Sequence, residues 1–138
     1  MPERKHEKRV ALADIGIEKA KEALFDTDIL FKAGRYAASI NRSYYAIFYA
    51  ARAALTLKDI ECKKHSGVIS QFNFHFVKNK KLPLEMNRII GSAMVSRERA
   101  DYTDQIIFSG DEAEKQFKNA VMFVRNIEIL IQKVKAEP

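Results

Sequence analysis

Tryptophan is absent from this chain, cysteine occurs once, and turn-forming residues are scarce, with five glycines and three prolines in 138 residues. A lone Cys62 excludes an intrachain disulfide, and no Cys and His cluster with zinc-site spacing surrounds it, so neither metal nor cofactor is expected. A reducing cytoplasm is the natural compartment. Two of the prolines stand at positions 2 and 138, which leaves long helices as the expected architecture. The N-terminus, MPERKHEKRV, is too charged for a signal peptide, and no apolar run approaches the length of a membrane span. No membrane association is expected. Period-two segments, internal repeats and low-complexity tracts are also missing.

What is present is ordinary for a globular protein: 47% hydrophobic and 30% charged residues, enough chain for one core and a single domain over 1–138. The formal net charge of +6 fits either plain solubility or a phosphate-bearing partner. The first helix is expected from Glu3 to Ala33, with Leu12, Ile15, Ala20, Ala23, Leu24, Leu30 and Phe31 inward, a weak point near Asp26 to Asp28, and Gly34 as the left-handed stop. A second, from Arg35 to Leu57, follows with almost no loop and should pack antiparallel. After a connection from Lys58 to Lys64, a third helix capped by Ser66 ends near Asn79 to Pro83, with Val68, Ile69, Phe72 and Phe76 as its core stripe. A fourth spans Leu84 to Arg99. Tyr102 to Gly110 reads as a loop, and Ser109 with Glu112 forms a capping box for a last helix that turns Phe117, Ala120, Val121, Val124, Ile127 and Ile131 inward.

The second helix carries the most information. Tyr36, Ile40, Tyr44, Ile47, Phe48, Ala51, Ala54 and Leu55 share one face, while Ala38, Arg42, Tyr45, Tyr49 and Ala53 face the other way without the Lys and Glu of a solvated surface. Such a helix is the centre of a bundle or the seam of an oligomer. Its small residues Ala38, Ala46 and Ala53, with Tyr45 and Tyr49, suit a homodimer seam.

Candidate site residues lie in three places. His65 and His75 are ten residues apart, about 15 Å along a helix and too far for one metal ion. In the fourth helix Met86, Ile90 and Ala93 form a stripe whose next position is Arg97, a guanidinium where a core residue belongs. It needs an anionic partner. Either it bridges to Asp101 and fastens the helix end, or Arg97, Asp101 and Tyr102 line a cleft in which the arginine meets phosphate. Lys63, Lys64, Lys78, Lys80 and Lys81 bracket the third helix and suit either solvent or a nucleic-acid backbone.

GRYAASINRSYYAIFYAARAAL, then KKHSGVISQFNFHFVK, then RERADY and a final amphipathic helix resemble, in that order, the HEPN family, the nucleotide-binding domains of higher eukaryotes and prokaryotes. The similarity runs from Leu24 to Leu130 and is nearest to the small stand-alone prokaryotic branch with R-x-x-x-D-Y. The resemblance implies an all-α, up-and-down bundle of about five helices, frequent homodimers, and pairing with a minimal nucleotidyltransferase in toxin-antitoxin modules. Catalytic relatives are metal-independent ribonucleases in which an Arg is followed after four to six residues by a His. Arg97 matches the Arg, but Tyr102 stands at the His position, and a phenol with a reference pKa near ~10 is a poor general base at neutral pH. Arg42 followed by Tyr49 departs in the same way. His65 or His75 substitutes only if the fold brings it beside Arg97. Three functions stay open: a module binding a nucleotide, RNA or a nucleotidyltransferase; an RNA endonuclease with Arg97, Tyr102 or His65 as catalytic candidates; and a helical scaffold without a ligand.

Overall fold

A computed structural model describes residues 2–102 and 107–137, with side chains from residue 4 onward. The described residues include five α-helices: α1 (Pro2–Lys32), α2 (Tyr36–Thr56), α3 (His65–Phe72), α4 (Glu85–Tyr102) and α5 (Gly110–Ala136), with a π-helical turn, Asn73–Val77, continuing α3. The all-α bundle is as the sequence predicts. No described helix is long and apolar enough to cross a membrane.

The α1–α2 hairpin is built by one glycine. Gly34 takes φ +75°, Gly34 N–H donates to Phe31 O at 3.0 Å, and Arg35 N–H donates to Leu30 O at 2.8 Å, a Schellman ending that satisfies the last carbonyls of α1 and reverses the chain. Helix α1 runs unbroken through Asp26 to Asp28. There Thr27 is fully buried, its hydroxyl donates to Ala23 O, and the Ser39 hydroxyl donates to Thr27 O, so the buried polar groups of Thr27 are paired.

The inward face of α1 differs from expectation. Ala13, Ile17, Ala20, Ala23 and Thr27 are buried, whereas Leu12 and Ile15 are about half exposed, at 47% and 55%. Close approach of α1 to α2 selects the small residues: a Cβ on Gly16 would lie 2.9 Å from the Cβ of Ala53. That contact also corrects the expected dimer seam. Ala46 and Ala53 are buried within the fold and cannot join such a seam, whereas Ala38, Tyr45 and Tyr49 are half-buried. Helix α2 packs against α1, α3, α4 and α5, which is why it is apolar nearly all round.

Other boundaries shift locally. Helix α3 starts at His65, after an extended Lys64 and without a side-chain cap, so Ser66 lies inside the first turn instead of capping it. Phe72, Phe76 and Phe123 form the aromatic centre of the core, with 5.3 Å between the Phe72 and Phe123 rings. Helix α4 continues three residues past Arg99, which puts Asp101 and Tyr102 on the helix; residues 103–106 of the expected loop lie outside the described residues. Ser109 caps α5, its hydroxyl accepting from Glu112 N–H at 3.1 Å. In α5, Phe123 and Gln116 are buried where Phe117 and Val121 are only half-buried. Gln116 donates to Ser92 and Ser96 and so ties α5 to α4.

Candidate functional site

On α2, positions 42, 45, 49 and 52 fall along one stripe, and the chain fills them Arg, Tyr, Tyr, Arg. Arg42 lies 5.4 Å over the Tyr45 ring, and Arg52 lies 5.6 Å over Tyr49 and 5.3 Å over Phe48. Arg97 arrives from α4 and sits 5.3 Å over Tyr44 and 5.6 Å over Tyr45. Three guanidiniums thus rest on a continuous aromatic bed, an arrangement that stabilises cations by contact with the ring faces.

Their polar partners are fewer. Arg97 Nε donates to Asp101 Oδ2 at 2.9 Å, one turn along α4, and its Nη2 donates to the Tyr45 hydroxyl at 3.3 Å. The Arg97 side chain is 16% exposed and that of Asp101 26%. Burial works against the Arg97 charge, but Tyr45, Asp101, Tyr102 and Tyr44 outweigh it and raise its pKa further. Asn41 from α2 donates to both Asp101 oxygens, at 3.0 and 3.2 Å. The expected Arg97 to Asp101 bridge therefore exists, and it is clamped from a second helix. Arg42 Nε is buried with no hydrogen-bond partner among the described residues.

His65, at the start of α3, completes the cluster. Its ring stacks on Phe48 at 4.1 Å and on Tyr44 at 5.7 Å, edge-on to Tyr45. Nδ1 stands 2.7 Å from the Tyr44 hydroxyl. Burial first, then the charges of Arg97 and Arg52, lower the His65 pKa, so the imidazole is neutral at pH 7. Burial likewise pushes the Tyr44 phenol up to about 12. That phenol is protonated and has no other acceptor among the described residues, so it donates to Nδ1 and leaves the proton of His65 on Nε2.

The family model of the HEPN domain matches residues 13–130. The chain belongs to the HEPN family. A UPF0332 protein of Thermotoga maritima is 34% identical over 117 residues, 85% of this chain and 89% of its own length. Two relatives come from Methanocaldococcus jannaschii. One, named "Putative toxin MJ0605", is 37% identical over 118 residues, 86% of this chain and 87% of its own; the other, named "Putative toxin MJ0142", is 38% identical over 98 residues, 71% and 67%.

In this HEPN protein the fold sorts the residues singled out by sequence. It brings His65, Arg97, Asp101 and Arg42 to the aromatic face of α2, and it leaves His75 elsewhere, bonded to Gln71 at 3.1 Å and edge-on to Phe74. Tyr102 lies within electrostatic reach of Arg97 but is 76% exposed. Tyr49 pairs with Arg52 rather than with Arg42. Lys63 and Lys64 are exposed beside His65, whereas Lys78, Lys80 and Lys81 are exposed beyond the other end of α3. Sequence reasoning missed Asn41, Arg52 and the ring bed of Tyr44 and Phe48 as parts of the site. Their signal was the helix itself, an apolar segment with polar groups at i, i+1 and i+11.

Proposed function

We propose that this protein is a toxin-type HEPN module that binds RNA through the α2 face bearing Arg42 and Arg52, where Arg97 of α4 joins them. The observation that carries the reading is the clustering of charge on that face: three guanidiniums lie on aromatic rings, and among the described residues only Arg97 of the three is in an ion pair, with Asp101, which Asn41 also holds. Guanidiniums take phosphate oxygens through paired N–H donors, and Nε2–H of His65 adds a neutral donor beside them. The relatives named as toxins support the toxin-type setting. A homodimer and a separately encoded nucleotidyltransferase partner belong to the same reading, as the family resemblance implies.

Fluorescence anisotropy of a labelled single-stranded RNA at fixed salt tests it. Arg97→Ala should weaken binding by about 1.5–3 kcal/mol, the worth of a charge-assisted hydrogen bond. Equal affinity for wild type and Arg97→Ala would refute it.

A second reading, metal-independent RNA cleavage, is favoured by one observation, the placement of His65 in the field of Arg97. Against it, Nδ1 is occupied by Tyr44 and Nε2 carries the proton, so the neutral imidazole has no free lone pair to act as a base. Cleavage in EDTA that disappears in both Arg97→Ala and His65→Ala would establish the endonuclease; little cleavage is expected.

A further inference from the structure

We propose that the groove between the π-helical turn and the start of α4 is a docking site for an acidic, amphipathic peptide segment of a separate protein. The groove has a volume of about 900 Å³ and its apolar walls include Phe74, Val77, Leu82 and Leu84. Phe74 is 59% exposed and Leu84 58%, an apolar surface without cover from its own chain. It lies at the opposite end of α4 from Arg97, about 15 Å along the helix, so the proposal stands independently of the RNA reading.

Charge points to the occupant. Lys78, Lys80 and Lys81 line the groove, and none of them forms an ion pair among the described residues. Lys58 sits behind them, over the Phe76 ring, where contact with Lys81 and burial hold its ammonium below the ordinary value. These like charges are crowded together, and among the described residues none of the four lysines is in an ion pair. Asp59, next to Lys58, pairs with Arg9 at 3.5 Å, and Glu85, four residues after Lys81, faces Arg88 at 4.0 Å.

The shape is fixed by unusual backbone. Lys78 N–H donates to Asn73 O across a π-turn at 2.8 Å, and Lys80 adopts φ 63°, a left-handed conformation that a lysine rarely takes. Both features aim lysines at the groove. Asn73 also lines the groove, and its Oδ1 atom is buried with no hydrogen-bond partner among the described residues. A peptide fits better than single-stranded RNA, because such RNA sites stack successive bases on several aromatic faces, and the groove lining offers one aromatic, Phe74. Its other apolar walls, Val77, Leu82, Pro83 and Leu84, are aliphatic.

The test is a titration of the ¹⁵N-labelled full chain with a synthetic peptide of Glu, Asp and Leu at helical spacing, followed by amide shifts. The expected result is that amides of residues 70–87 move, that Lys78→Glu with Lys81→Glu weakens binding at least tenfold, and that Arg97→Ala changes it less than twofold. A control peptide with Leu replaced by Ser should bind at least tenfold more weakly. No shifts at millimolar peptide, or equal binding of the Ser peptide, would overturn the proposal. If a short single-stranded RNA moves the 70–87 amides and the Leu peptide does not, the groove belongs to nucleic acid and the proposal also fails.

Discussion

The hydroxyl of Tyr44 and Nδ1 of His65 meet at 2.7 Å, although 21 residues separate them in the chain. This contact joins α2 to the first residue of α3 and makes the protonation state of His65 a property of the fold. Protonation would place a donor where Tyr44 already donates, beside two guanidiniums.

The first prediction follows from that contact. Burial, Arg97 and Arg52 lower the His65 pKa in the folded protein, so the unfolded chain takes up the proton first, near the ordinary value of about 6.5. Stability from this group is present above that pH and is lost as pH falls through and below it. Melting temperatures at pH 7.5 and 5 should therefore drop more for wild type than for His65→Gln. Parallel lines for the two proteins would mean that His65 does not couple to folding.

Arg97→Ala should change stability and binding together. The substitution removes a partly buried ion pair and two ring contacts, while Asn41 still holds Asp101, so a loss of about 1–3 kcal/mol is expected. Affinity for RNA in the folded fraction should fall at least tenfold. A stability loss with unaltered affinity would reduce Arg97 to a structural clamp.

Arg42 separates the two roles more cleanly. Its Nε is buried and unbonded, a state that costs about 1–3 kcal/mol for a polar group deprived of water. Arg42→Met keeps the aliphatic length and removes that penalty. The melting temperature should hold or rise while RNA affinity falls by about tenfold, a charge-assisted contact's worth. A clear fall in melting temperature, with affinity retained, would contradict the assignment.

Gly16 tests the helix pair that supports the site. The added methyl of Gly16→Ala meets the Ala53 side chain at 2.9 Å, and crowding of this kind costs about 1–3 kcal/mol, more than the helix propensity gained. Urea unfolding followed by circular dichroism should show the loss, and Ala53→Gly in the same chain should recover part of it. Additive losses would place the strain elsewhere.

The sequence by itself determined the number and order of the helices, because apolar spacing, the Gly34 stop and the Ser109 cap are local and act before any packing. It also marked Arg97 as misplaced in a core stripe, since one helix period suffices to show that. The face of α1 was beyond its reach. Leu12 and Ile15 are larger and more hydrophobic than Ala13 and Gly16, yet interhelical distance, not side-chain hydrophobicity, chose the inward set. The partners of Arg97 were half legible. Asp101 lies one turn away and follows from helix geometry, whereas Asn41, Tyr45 and His65 come from other helices. Only tertiary packing decided that His65 rather than His75 stands by Arg97, because both project from the α3 segment and the choice rests on which end of it meets the ring face of α2.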